Sequence, residues 1–339
     1  MSTNYSKPFM TYEEQIDRLQ SNYGLGIPDR DLAINLLKTI SYYDLINGYK
    51  ECFLSEDERF QEGINIVDLF IFKMFDKNIQ NVLFKYSVYV ENTFKTKLAY
   101  TLAKNHGVHT DDYINENILL NPSDQERLSK RNKTLKTIRK ISRKISPDNI
   151  PTLHYITNHN HIPPWILFKN TNFNDVIDLY SFLKFEDKLE IANDCLKSEK
   201  VNNHDKIELL KTTISIVRRF RNKIAHNAKV FNYTTSLNEI NISCIINFLP
   251  PNYIYRSDSK NYYGINDLFA MISSLVLLLD NNFLTLSLIN ELRAIFDKSN
   301  NDFTNTINRY IDAAHLPRDI NRRLDVLYNS LYNSIFKSV

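Results

Sequence analysis

The chain has 339 residues, 43% apolar and 24% charged, enough to bury a sizeable core without disulfide or metal staples; such a mix excludes global disorder. Its six glycines form neither the spaced triplet of a dinucleotide cradle nor the GxxxxGK of a P-loop, which excludes both kinds of nucleotide site. The net charge of +3 says little about partners, and the three cysteines (Cys52, Cys195, Cys244) lie far apart with no CxxC pair, against a disulfide framework or a four-cysteine zinc site.

The N-terminus, MSTNYSKPFMTYEEQ, lacks the apolar run of a secretory leader, so a cytoplasmic protein is expected. Residues 31–50 place Leu32, Leu36, Ile40 and Tyr43 at helical spacing, with Asp29 or Asp31 able to cap. Residues 64–105 continue that spacing from Val67 to Leu98 without Pro or Gly, which predicts one long helix or two nearly continuous ones. Residues 107–123 read as a loop. The stretch from Arg127 to Lys144 reads as a basic amphipathic helix with a thin apolar stripe of Leu128, Leu135, Ile138, Ile141 and Ile145. Residues 146–164, with four prolines, read as an irregular connector, and Trp165 behind two of them as a packing anchor. Helical spacing resumes near 174–184, 186–198 and 204–226, and residues 250–264 read as a loop. Further helices are predicted near 266–279, 285–297, 303–313 and 319–336. Leu268–Leu279, broken only by two serines, is too short to span a bilayer and reads as a buried helix. The fold class is all-α.

Charge is unevenly spread. Nine of the eighteen residues from Arg127 to Lys144 are Lys or Arg and none is acidic, leaving the rest of the chain net acidic. Arg127, Lys130, Arg131, Lys133, Lys136, Arg139, Lys140, Arg143 and Lys144 are therefore candidate contacts to RNA phosphates. The plainer alternative is a solvated helix face.

One segment carries chemistry, Ile214–Asn227, ISIVRRFRNKIAHN. At 100° per residue, Thr213, Val217, Phe220 and Ile224 form its buried stripe, while Asn222, His226 and Arg219 share the opposite face. Arg218 and Arg221 flank that row, and Arg218 and Lys223 add cations able to meet RNA. These residue types suit metal-independent RNA cleavage, in which a ribose 2′-OH attacks the adjacent phosphate. Histidine can take or give a proton near neutrality, arginine matches phosphate oxygens, and asparagine can orient either. His154, His159 and His161 invite a metal reading, but they lack a second ligand pair; no metal or cofactor is expected.

Arg221-x4-His226, with Asn222 directly after the arginine, resembles the R-x4-6-H motif of HEPN-domain ribonucleases. Around it, Lys7–Asp29 with Leu37–Phe53, Val88–Gly107, Ile162–Leu183 and Arg218–Asn232 resemble, in order, blocks of the Abi (abortive infection) family of phage-resistance proteins related to AbiD and AbiF. The resemblance implies a HEPN-like helical bundle with N- and C-terminal helical extensions: residues 1–60, a core over 61–235 with a basic helical insertion at about 107–165, and a C-terminal region over 236–339. It also implies a homodimer that pairs two motifs into one composite site, with His226 as acid/base, Arg221 as phosphate binder and Asn222 as orienting group. The helical wheel instead favours Arg219, which satisfies the spacing as R-x6-H. The family helix often has Arg after its "IE", whereas this chain has Lys95 and Lys97 after Glu91, and Glu91 alone reads as an ordinary surface salt bridge. Likeness to toxins of toxin–antitoxin pairs brings a small regulatory RNA or a protein antidote into consideration as partner. The alternative is a non-catalytic RNA-binding or partner-binding defence protein whose motif helix serves only dimerisation.

Overall fold

Helices form where apolar spacing predicts them, and side chains mark their ends. In the computed structural model, which describes residues 7–196, 201–236, 242–256, 262–299 and 301–332, Thr11 opens helix Tyr12–Tyr23 with a full capping box. The Thr11 N–H donates to the Glu14 carboxylate at 2.7 Å, and the Glu14 N–H returns to the Thr11 hydroxyl at 3.2 Å. Asp29 caps Arg30–Ile40. The helix expected over 31–50 breaks there: Ser41 takes φ +74°, and a π-helical turn at Tyr43–Asn47 and a 3₁₀ turn at Lys50–Cys52 follow. Residues Ile66–His106 form one uninterrupted 41-residue helix.

The all-α reading holds. Among the described residues the paired strands amount to a two-residue antiparallel ribbon, Tyr255–Arg256 with Tyr262–Tyr263, inside the expected loop. The stretch 107–123 holds short turns at Thr110–Tyr113 and Glu116–Ile118, and the connector 146–164 contains a seven-residue helix, Thr152–Asn158. The later expected helices form at Phe173–Phe182, Phe185–Cys195, Asn203–Ala225, Leu268–Leu278, Asn282–Ile295, Asn301–Ala313 and Ile320–Tyr332, each within a few residues of expectation, and a short helix not predicted from the sequence, Ile242–Phe248, forms among them; 197–198 and 333–336 of the expected spans lie outside the described residues. Trp165 is not the packing anchor it was expected to be. It stands 46% exposed in the first turn of helix Pro164–Asn170, whose buried side is supplied by Leu167 and Phe168.

The contacts divide the chain into two compact units that do not follow chain order. One gathers Met1–Asn81, Lys229–Asn232 and Ile295–Leu316. Its core is aromatic: Phe72 meets Tyr49, Phe53, Phe231 and Tyr310 at ring-centroid distances of 5.4 to 5.8 Å. Inside this cluster sits a carboxylate. Asp76, fully buried, accepts hydrogen bonds from the Tyr49 hydroxyl (2.9 Å), the Tyr310 hydroxyl (2.7 Å) and the Gln80 amide (2.6 Å).

The other unit gathers Val82–Ala228, Tyr233–Ala294 and Pro317–Val339. Its centre is Leu268–Leu278, started by Asp267, which accepts from the Ala270 and Gly264 N–H groups at 2.9 and 2.8 Å. Every residue of that helix is buried, as a helix apolar on all sides requires. Asn203–Ala225, hereafter the motif helix, packs on it, as does Ile320–Tyr332. The motif helix also meets Phe173–Phe182 and Phe185–Cys195, while Gln125–Ser142, the basic helix, lies on Phe173–Phe182.

The buried carboxylate makes a prediction about stability. Replacing Asp76 with Leu orphans three buried donors and is expected to cost on the order of 3–5 kcal/mol in urea unfolding. Burial raises the Asp76 carboxyl above its ordinary range, outweighing the hydrogen bonds that lower it. A group raised in the folded state contributes stability that is full below its unfolded pKa and is lost as pH climbs through the folded one. The advantage of the wild type over Asp76→Asn is therefore expected to be greatest in acid and to shrink as pH rises above about 4, read from urea midpoints across pH.

Candidate active site at the end of the motif helix

The motif helix starts on Asn202, whose side chain accepts from the Asp205 N–H at 2.9 Å. No Gly or Pro interrupts it, and Ile207, Leu210, Ile214, Val217 and Phe220 bury its inner stripe. Its end is set by one backbone conformation. Asn227 adopts the left-handed region (φ +59°), and its N–H donates to the Ile224 carbonyl at 2.9 Å while the Ala228 N–H donates to the Lys223 carbonyl at 3.1 Å. That pair of bonds is a Schellman closure with asparagine in the position glycine usually fills. It leaves His226 as the residue that caps the helix, its own N–H on the Asn222 carbonyl at 3.1 Å. The His226 side chain is exposed and its ring forms no hydrogen bond among the described residues.

Arg221 lies back from that end, and an acid holds it. Its Nη2 pairs with Glu91 Oε2 at 3.3 Å, and its Nη1 donates to Asn222 Oδ1 at 3.3 Å. The Glu91 carboxylate is divided: Oε1 takes Lys95 Nζ at 2.7 Å, and the same ammonium donates to the Thr171 carbonyl at 2.7 Å. Glu91 is 14% exposed and Lys95 12%, so this is no surface salt bridge of the expected kind. The guanidinium also sits 5.9 Å from the Phe84 ring centroid, and its Nε is buried without a partner among the described residues. With the Arg221 side chain 31% exposed, the guanidinium is anchored through both terminal nitrogens and still partly open to solvent. Arg219, the alternative from the wheel, is half-buried. Lys97 points elsewhere, pairing with Asp280 and standing 3.8 Å from Asp194.

Two residues that the sequence reading did not credit thus shape the site. Glu91 joins the long helix to the motif helix, and Asn174 accepts from Arg218 Nη1 at 2.6 Å. A signal for Glu91 was present: it shares a helical stripe with Ser87, Phe94 and Leu98, all buried, so an acid at that position has to find partners. Lys223 is exposed, with its ammonium 5.0 Å from the Tyr233 ring centroid.

The basic helix forms, capped by Asp124, but it ends at Ser142, just short of the expected Lys144, so Arg143 and Lys144 lie just past it; the nine cations of the stretch do not act alike. Arg131 is 4% exposed; its guanidinium donates to the Leu120 carbonyl (3.2 Å) and Asn121 (3.3 Å) and pairs with Glu116 (3.3 Å). It therefore holds the preceding loop rather than facing solvent. Arg139 donates to the Ile114 carbonyl at 2.7 Å, and Lys130 pairs with Asp178 at 2.8 Å. Arg127, Lys133, Lys136, Lys140, Arg143 and Lys144 are exposed. Of the apolar stripe, Leu135 and Ile138 are buried, whereas Ile145 lies beyond the helix and is 79% exposed.

Among the described residues no three His, Cys, Asp or Glu side chains are grouped so as to hold a metal, and no helix is long and apolar enough to cross a membrane. These features define an all-α protein with an Arg/Asn/His helix end turned outward. The chain belongs to the Abi-like protein family, whose model matches residues 35–232, more than half of its length. Comparison with curated proteins and with solved structures gave no match.

Two measurements follow from this geometry. Asn227→Gly is expected to keep the left-handed closure, whereas Asn227→Val, which resists a left-handed φ, should unfold at lower temperature than Asn227→Gly, a loss of about 1–2 kcal/mol. A double-mutant cycle of Glu91→Gln with Arg221→Met should return a coupling of about 1–2 kcal/mol. A coupling near zero would mean that the carboxylate does not hold the arginine.

Proposed function

We propose that the protein is a HEPN-type endoribonuclease of abortive-infection defence, cutting RNA by attack of a ribose 2′-OH on the adjacent phosphorus. The reaction forms a 2′,3′-cyclic phosphate and releases a 5′-hydroxyl; the proton lost by the 2′-oxygen and the one gained by the 5′-oxygen pass through side chains. His226, exposed at the helix end with an uncommitted ring, suits that proton transfer. Arg221 has fork geometry for a phosphate oxygen pair, and the Glu91 carboxylate fixes its orientation in advance. Asn222, bonded to Arg221 through Oδ1, keeps its amide for the substrate or for the histidine. Membership of the Abi-like family supports the defence role. The observation that carries the catalytic reading is the closure at Asn227, which places His226 at an open helix terminus one turn beyond Asn222.

One motif per chain supports a homodimer in which two His226 side chains divide acid and base duties across a two-fold axis. The exposed cations of the basic helix would hold substrate or a regulatory RNA, and an antidote RNA or protein would restrain the enzyme in the uninfected cell.

Purified protein incubated with cellular RNA in EDTA is expected to yield fragments ending in cyclic phosphate. His226→Ala should lower the rate at least about 100-fold while eluting as the same dimer in size-exclusion chromatography. Intact RNA with both proteins, together with RNA retained in a gel-shift assay, would replace this reading with that of a non-catalytic RNA-binding protein.

A further inference from the structure

The C-terminal half of the basic helix borders two adjoining hollows, and Arg139 and Arg143 line both. The larger, about 570 Å³, is walled by Lys136, Lys140 and Lys144 as well; its one acid, Glu116, is engaged by the buried Arg131. The smaller, about 260 Å³, is of a different character, with His109, Tyr155, His159 and His161 on its walls. Tyr155 and His159 already form a ring pair, with centroids 4.6 Å apart and planes tilted by 35°. The exposed His154 stands edge-on to both rings, with centroids 5.9 and 5.5 Å away. The Tyr155 hydroxyl forms no hydrogen bond among the described residues, and His159 is exposed. His161 Nδ1 is 2.9 Å from Asn160 Oδ1. One acid, Asp111, faces this hollow and stands 3.9 Å from His109 Nδ1.

Cations that track a backbone, next to partly exposed aromatic rings, are what a single strand of nucleic acid needs. Phosphates meet the cations, and an unstacked base finds a flat partner. A duplex keeps its bases stacked and offers none to such a hollow. We propose that the smaller hollow is a nucleotide subsite for single-stranded RNA, with a base laid on Tyr155 and His159 and its phosphate on Arg143 and Arg139, while Lys136, Lys140 and Lys144 carry the neighbouring phosphates. This deepens the ribonuclease reading, resting on it for RNA as the nucleic acid, and stands apart from His226. The same chemistry would take a substrate strand or a bound regulatory strand.

The test is fluorescence anisotropy with a labelled 12-nucleotide single-stranded RNA and the corresponding blunt duplex, using the full chain and its variants. The single strand is expected to bind at least tenfold more tightly than the duplex. Tyr155→Ala should weaken single-strand binding about 5- to 100-fold with little change in salt dependence, and Tyr155→Phe should restore it. Arg143→Gln should lower the slope of log affinity against log salt by about 0.7. Circular dichroism and thermal unfolding of each variant check that the fold is kept. In the cleavage assay, a raised KM with unchanged kcat in Tyr155→Ala assigns the subsite to substrate; unchanged cleavage beside lost affinity assigns it to a regulatory strand. Equal affinity for strand and duplex, or a Tyr155→Ala variant that binds as the wild type does, overturns the proposal. His226→Ala should bind normally, so RNA that is bound through Tyr155 but never cut would sink the catalytic reading and leave the subsite standing.

Discussion

A single carboxylate sets the geometry of the candidate site. Glu91 gives one oxygen to Lys95, on its own helix, and the other to Arg221, on the motif helix; Lys95 in turn holds the carbonyl of Thr171. Three segments distant in sequence are thereby fixed around a group with little access to water. A carboxylate so placed has to be matched by cations, because an unpaired charge in that position is far more costly than the pair is favourable. The result is an arginine whose direction is decided before any ligand arrives. Lys95 neutralises one carboxylate oxygen from within its own helix, and the planar guanidinium of Arg221 meets the other.

The second constraint is the way the motif helix stops. Asparagine tolerates the left-handed region better than most residues with a side chain, so the order His226–Asn227 ends the helix at Ala225 with His226 as its exposed cap. The same ending satisfies the carbonyls of Lys223 and Ile224, which an exposed helix end would otherwise leave to water.

Much of this was legible in the sequence, for reasons that differ by element. The long helix and the motif helix carry apolar residues at helical spacing, which reports the face a helix buries, whereas Leu268–Leu278 was legible as an apolar run too short for a membrane. The break at Ser41 was not legible, because a positive φ at serine leaves no mark in composition. Trp165 misled through its size: hydrophobicity said buried, while Leu167 and Phe168 filled the inner side of that short helix. Within the basic helix the letters gave nine equivalent cations, but burial of Arg131 and the acid beside Lys130 depend on residues brought up by tertiary packing. At the site, the motif helix and its exposed histidine were readable, and the partner of Arg221 was not credited because its acid lies far away along the chain.

The matched family region ends at residue 232, yet the centre of the unit that bears the motif helix lies beyond it, in Leu268–Leu278. Much of the inner surface of the motif helix rests on that later segment. A fragment cut at the family boundary would carry all the motif residues and still lack the buttress against which their helix sets, exposing apolar surface in its place. During synthesis the same order means that the motif helix leaves the ribosome before the element that completes its packing. The helix end that carries Arg221 and His226 would therefore become rigid only once Leu268–Leu278 had been made.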